Sequence, residues 1–409
     1  MAFSKLLTIA WRDLWRNRRR SLFTLIAVAL GLALLMLLNG FIAGVMEDSL
    51  QNSIRLETGH LQLRSASYAE ETVSLEWKNL IDDVDALIGQ AKGLGEVKAA
   101  TPVLWATSVL NTVEDSIGLR IYGIEPDSAF YEPIRQAMVA GDFVAAGDRN
   151  GILLGKHLAE EMKVAVGDRV VLTIINADGS PDEAQFTVRG LFSTGILSYD
   201  QGAALMSLVR AQSFTGTAGH VSAIVLLLSD QNNADKVAAE LATPQIRALT
   251  WQKLNEIFLQ AMETGLSFYV ILDFIVMLVV AVVIANTLLM AVFERTREMG
   301  ILAALGMKPR QILLMFLLEA ALLGVVGIIL GYGLGSAGVG YLAKYGIDFG
   351  EGAAAAAQNI PLATRLYARY VPDTFIGLSF GTLVVILLAS LYPAWFAARL
   401  EPVKALHAV

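Results

Sequence analysis

The chain has 409 residues, 55% hydrophobic and only 17% charged, with a formal net charge of −7. Soluble domains average about 45–50% apolar and about 25% charged, so this is a membrane composition diluted by a sizeable polar part. The absence of cysteine excludes disulfides and thiolate metal sites, and four scattered histidines argue against a zinc centre.

In chain order, residues 1–20 read as an amphipathic helix. Phe3, Leu6, Leu7, Ala10, Trp11, Leu14 and Trp15 recur at spacings of three and four, with basic residues between them. Tryptophan favours the membrane interface, so the helix is expected to lie on the cytoplasmic leaflet; the alternative is a helical extension of the following span. A span needs about 20 apolar residues. Residues 21–46 qualify. This run is longer than a signal-peptide core of about 7–15 residues and no small-x-small site follows it, so it is read as an uncleaved anchor.

Residues 47–263 contain no comparable run and are long enough for a substantial domain. Strand signals stand at 59–65, 118–127, 184–193 and 221–230; 151–175 reads as strand, helix, Gly-Asp turn and strand; helical signals stand at 73–94 and 231–243. The reading is a mixed α+β domain. "GILLGKH" (151–157) does not have the spacing of a phosphate loop and is read as a strand-to-helix turn. Asp115, Asp127, Asp142, Asp148 and Asp168 are read as solvated loop acids, and no catalytic signature is present.

Residues 264–293 form a second span, with Asp273 inside it. Residues 312–342 form a third, with Glu319 and a Gly327, Gly331, Gly335 stripe suited to close helix packing. Residues 343–374 form an outer loop, and 375–396 a fourth span. Basic residues cluster before span 1 (Arg12, Arg16, Arg18, Arg19, Arg20), between spans 2 and 3 (Arg295, Arg297, Lys308, Arg310), and after span 4 (Arg399, Lys404). These segments are predicted to be cytoplasmic. The large domain then lies outside, consistent with its 29 acidic against 16 basic residues.

"ERTREMGILAALGMKPRQI" (294–312) is therefore a charged, helix-patterned loop on the inner face. Ile301, Leu302 and Leu305 give an apolar ridge, Gly306 a stop and Pro309 a new start. Such an element is suited to docking in a groove of another protein; the alternative is a plain turn with basic anchors.

This stretch resembles the coupling helix of FtsX/MacB-type ABC transporter permeases. "YPAWFAARLEPVKALH" (392–407) resembles the ending of that family. "IYGIEPD", "ILLGKHLAEEMKVAVGDRVVLT", "FTVRGLFSTG" and "YDQGAALMSLVRAQSF" follow the order of its periplasmic core. Size and "GHLQLR" after span 1 look most similar to lipoprotein-releasing, LolC/LolE-like permeases. The resemblance implies a bacterial inner-membrane, multi-pass, α-helical protein with cytoplasmic termini. Four transmembrane helices would carry a large α+β periplasmic domain with helical stalks (47–263) between helices 1 and 2. It implies a non-catalytic permease subunit that pairs with a second permease, as a homodimer or a LolC/LolE-like heterodimer.

The ATPase-coupling element (294–311) would comprise Glu294, Arg295, Arg297, Glu298, Gly300, Ile301, Leu305, Gly306 and Lys308. A cytoplasmic ABC ATPase dimer, using ATP and Mg, would dock there. MacB itself carries its ATPase on the same chain, for which this length leaves no room. The expected work is extraction of lipoproteins or lipid-linked cargo entering between spans 1 and 2, with a periplasmic lipoprotein carrier as a further partner. The alternatives are a mechanotransmitter driving a tripartite exporter or a cell-wall hydrolase, and a membrane sensor or scaffold without transport. Asp273 and Glu319 are the intramembrane polar candidates. No metal, no cofactor of its own and no nucleic acid is expected.

Overall fold

The computed structural model describes residues 8, 10–12, 16, 18–68, 73–112, 115–350 and 362–399. Most of the helix expected over 1–20, the centre of the 343–374 loop and the C-terminal motif beyond Arg399 lie outside the described residues. The chain divides into two compact units. One holds residues up to Val45, Met262–Ile347 and those from Tyr367 onward. The other holds Met46–Ala261 with Asp348–Leu366.

Among the described residues, four helices are long and apolar enough to cross a membrane. Span 1 is Arg18–Ser53, span 2 Glu256–Glu294, span 3 Pro309–Tyr345 and span 4 Pro372–Ala398. Spans 1 and 2 run well past the apolar stretches 21–46 and 264–293. The reason is local: Glu47, Asp48, Gln51 and Asn52 are polar but tolerate a helix, and the chain meets no breaker until Gly59, which takes a φ of 61° after a π-helical turn over Ile54–Thr58. With 39 residues, span 2 is about 58 Å long, nearly twice a hydrocarbon core of about 30 Å.

Span 3 packs on span 1 through its glycine stripe. A Cβ on Gly331 would stand 2.8 Å from the Ala29 carbonyl oxygen, and one on Gly335 2.8 Å from the Met36 sulfur. A side chain is thus excluded at Gly331 by backbone approach and at Gly335 by the Met36 side chain, the close packing that small residues allow in membranes. Val28, Val280, Ile284, Leu288, Ala320 and Ile386 form a core to which all four spans contribute.

The second unit carries ten strands in one sheet. They are β1 (Leu61–Ser65), β2 (Val97–Asn111), β3 (Ser116–Ile124), β4 (Met138–Gly141), β5 (Gly151–Gly155), β6 (Arg169–Ile175), β7 (Pro181–Phe192), β8 (Ala203–Ser207), β9 (Ala223–Leu228) and β10 (Ile246–Thr250). The pairings β2–β3, β3–β8, β8–β5, β5–β7, β7–β6 and β6–β2 close on themselves. Within this ring no strand is left as an edge, while β4 and β10 remain at the ends of the sheet. Leu110, Ile121, Leu154, Leu172, Phe186 and Val188 belong to its buried core. From β2 the sheet continues through β9 and β1 to β10, all antiparallel. Helices Val84–Lys92 and Ala234–Leu241 pack on that arm through Ala91, Ala234, Val237 and Leu241.

Two expectations change. The helix expected over 73–94 begins only at Val84, because Ile81 pairs with Val221 in a β-bridge with N–O distances of 2.8 and 3.1 Å. The longest strand, β2, had no strand signal: Pro102 and two Ala-Ala/Ala-Thr steps interrupt its alternation. Its neighbours on both sides hold it, with Pro102 opposite Ile224. "GILLGKH" is strand β5 followed by the helix Lys156–Glu161. Gly155 is required there by packing, since a Cβ would stand 1.8 Å from the Asp200 carbonyl oxygen.

Candidate coupling site and the polar groups of the spans

Between spans 2 and 3 the chain forms one short helix, Thr296–Ala304. It is separated from span 2 by a break at Arg295, whose φ and ψ of −110° and 14° are not helical. The Thr296 hydroxyl donates to the Val292 carbonyl at 3.0 Å across that break. The other end closes with Gly306 at φ 91°: the Gly306 N–H donates to Ala303 O and the Met307 N–H to Leu302 O, satisfying the last carbonyls. Span 3 then starts with Pro309 at its first turn, and the Gln311 side chain accepts the Lys308 N–H at 2.9 Å.

One face of the short helix is anchored. Met299 and Gly300 are buried, and Leu302, Ala303 and Met307 pack beside Val292, Ile312, Phe316, Ala394 and Ala397 at the ends of spans 2, 3 and 4. The opposite face is open. Glu294, Arg297, Glu298, Leu305, Gly306 and Lys308 are exposed. Ile301 is 46% and Leu305 79% exposed, an apolar stripe continuing Arg297 at intervals of four.

Arg295 and Gly300 therefore do not belong to an outward docking face, contrary to the sequence expectation. Arg295 is only 2% exposed. Its guanidinium lies 3.7 Å from Oε2 of Glu319, which is fully buried in span 3. Arg20 donates from Nη2 to Glu319 Oε1 at 3.1 Å and from Nη1 to Glu294 Oε2 at 3.4 Å. Outside this cluster Arg16 bridges Glu298 at 2.5 Å. Basic residues read only as topology signals thus pair with specific acids. Sequence spacing could not show this, because the partners are separated by 274 to 299 positions.

Asp273 is also paired. Asn39 in span 1 donates its side-chain amide to both Asp273 carboxylate oxygens, at 3.0 and 3.1 Å, and to the Leu35 carbonyl at 2.9 Å. Asn39 was missed because a single amide among apolar residues carries no periodic signal.

The loop acids of the outer unit serve turns. Asp148 accepts from the N–H groups of Asn150 and Gly151 at 3.1 and 2.9 Å and from Arg189 at 2.9 Å. Partial burial opposes its charge, but these donors outweigh burial and hold the carboxyl below its usual range. Asp168 accepts the Ala165 N–H at 2.8 Å. Asp200, not singled out from sequence, is fully buried and accepts from Thr194, Gly195 and Ser193; burial pushes its carboxyl up against those bonds.

Residues 21–243 match the family described as MacB-like periplasmic core domain, and residues 270–402 the FtsX-like permease C-terminal family. The chain is 25% identical to the lipoprotein-releasing system transmembrane protein LolC of Neisseria meningitidis serogroup B, covering 96% of this chain and 95% of that protein. It is 26% identical to LolE of Haemophilus influenzae, covering 97% and 98%. Similarity to the probable export ATP-binding/permease protein MacB of Pseudomonas entomophila is 24% over 99% of this chain and 59% of that protein. With the two family matches spanning most of its length, the chain belongs to the FtsX/MacB-type ABC transporter permeases, of which the LolC/LolE-like members are among its relatives.

Proposed function

We propose that this chain is the non-catalytic membrane subunit of a lipoprotein-releasing ABC transporter, with a separate cytoplasmic ATPase as its motor. The observation that carries the docking part is the face Arg297, Ile301 and Leu305, open on a short helix whose other face is packed against the span ends. An exposed apolar stripe flanked by Arg297, Glu298 and Lys308 suits the groove of a soluble partner better than lipid. ATP and Mg belong to that partner. The basic clusters favour a cytoplasmic position for this helix and both termini, with the ten-stranded unit in the periplasm.

The relatives named LolC and LolE cover nearly the whole chain, which favours lipoprotein or lipid-linked cargo and a paired permease, either a second copy or a LolC/LolE-like partner. A second reading draws on the MacB relative and on the length of span 2 beyond a bilayer: a mechanotransmitter that drives an outer partner. Native mass spectrometry of the complex extracted from its membrane separates them. An ATPase pair with bound acylated protein supports lipoprotein release. An ATPase pair with an outer-membrane channel or a cell-wall hydrolase supports the second reading. No ATPase in the complex refutes both.

A further inference from the structure

Glu319 is an expensive residue for its position. It lies ten residues beyond Pro309, about 15 Å along span 3, and is fully buried. Packing does not require a charge there. Phe316, one turn before, and Ala320, the next residue, already fill apolar clusters with spans 1, 2 and 4, and well-packed apolar residues are generally as stable as a buried ion pair of the same volume. The charge must do something packing cannot.

Its two partners suggest what. One is Arg20, the first turn of span 1, at 3.1 Å. The other is Arg295, at 3.7 Å, the residue at which the chain breaks between span 2 and the short helix. Left to itself, a non-helical residue between two helices is a hinge. Here the hinge residue is clamped. Glu294, one position earlier, accepts from the second nitrogen of Arg20 at 3.4 Å. Among the described residues two carboxylates thus face two guanidinium groups, and the fork of Arg20 spans Glu294 and Glu319.

We propose that Glu319 is a positioning residue for energy coupling. It locks the Arg295 hinge and ties it to Arg20, so that a displacement imposed on the helix Thr296–Ala304 is delivered to spans 1 and 3 rather than absorbed at the break. The inference rests on reading that helix as the ATPase-docking element. It assigns Arg295 to transmission and removes it from docking.

The test uses the full chain in lipid nanodiscs with the ABC ATPase that co-purifies with it. Glu319→Gln keeps shape and removes the charge. The ATPase is expected to stay bound with unchanged affinity, while the kcat of permease-dependent ATP turnover falls roughly 10-fold, within the about 2- to 30-fold span of coupling networks. Arg20→Gln should give the same fall, and the double variant no further loss, since both act through one unit. Where Glu319→Gln fails to accumulate in the membrane, Arg20→Lys decides instead: it keeps the charge but loses the fork joining Glu294 to Glu319, and the same kcat fall at retained binding is expected. Wild-type turnover in the accumulating variant, additive losses in the double variant, or release of the ATPase by Glu319→Gln overturns the inference. Retention of the ATPase by Leu305→Asp would overturn the docking reading instead, which keeps the two failures apart.

Discussion

Leu305 offers the most direct measurement of docking. Its side chain is 79% exposed, the most open apolar group of the short helix. Complete burial of a leucine is worth about 1.5–3 kcal/mol. Burying the exposed share in a partner groove and then truncating it to alanine should cost about 1–2 kcal/mol, a Kd about 5- to 30-fold weaker. Leu305→Asp adds the cost of desolvating a carboxylate and should abolish binding at micromolar ATPase. Neither change touches the anchored face of Met299 and Gly300, so membrane insertion and thermal stability should match the wild type. Glu298→Gln is the internal comparison. Its carboxylate is 47% exposed and bridges Arg16, and an exposed bridge is worth about 0–1 kcal/mol, so its Kd should move less than about fivefold. The assay is a titration of the purified ATPase onto nanodisc-held permease. An unchanged Kd for both Leu305 variants would refute docking through this face.

Other perturbations test the spans and the outer unit. Gly331→Ala forces a Cβ to 2.8 Å from the Ala29 carbonyl and should destabilise the spans by about 1–3 kcal/mol, whereas a Cβ on Gly333 meets nothing within 4 Å and Gly333→Ala should leave the Tm in detergent unchanged or higher. Asp273→Leu removes the bond from Asn39; an interhelical hydrogen bond in a membrane averages about 0.6 and reaches about 1.7 kcal/mol, so under the lipoprotein-release reading release of acylated protein should fall about 3- to 18-fold, and normal release would make Asp273 a passenger. Asp148 has a folded pKa below its ordinary 3.8, so it contributes stability fully present above that value and lost as pH falls through the lower folded pKa. Asp148→Asn should lower stability at neutral pH, and with it the acid-dependent loss below pH about 4, read by hydrogen exchange of residues 145–192. A Gly-Ser insertion after Glu263 softens the unbroken helix Glu256–Glu294 and should abolish export while preserving basal ATP hydrolysis, because a flexible linker absorbs motion; normal export would exclude transmission along span 2.

Much of the architecture was readable because it follows from runs and periods. Four apolar stretches and one polar block between the first two mark out spans and domain. Period-two alternation marked β1, and strand signals marked β3 and β7. What could not be read depends on partners distant in sequence. Strand β2 is held by strands on both sides despite Pro102, so tertiary pairing overrides local propensity. The start of the Val84 helix is decided by the Ile81–Val221 bridge. The coupling stretch was legible as a charged helix between spans, yet its two faces were not. Nothing in "ERTREM" distinguishes Glu298, which stays exposed, from Arg295, which is buried, until Glu319 is placed beside it.

The same long-range pairs define how the spans are joined. Spans 1 and 3 meet closely through glycines, with Gly331 against the Ala29 backbone and Gly327 and Gly335 against the Val28 and Met36 side chains. Span 2 is the least buried of the four, and its outward side chains, among them Phe274, Val279, Val282 and Met290, are exposed. It is bound to span 1 by polar ties at two levels, Asn39 to Asp273 and Arg20 to Glu294, with Val280 seated against Gly31 between them. Tight apolar packing resists displacement in every direction, whereas a hydrogen bond or ion pair has a partner to lose and another to find. Span 2 also packs through Val280, Ile284 and Leu288 into the apolar core shared by all four spans, so its polar ties add to that packing. Glu294 ends span 2 and shares Arg20 with Glu319. Arg20 serves both contacts at once, from Nη1 to Glu294 and from Nη2 to Glu319, and so joins the end of span 2 to the buried acid of span 3.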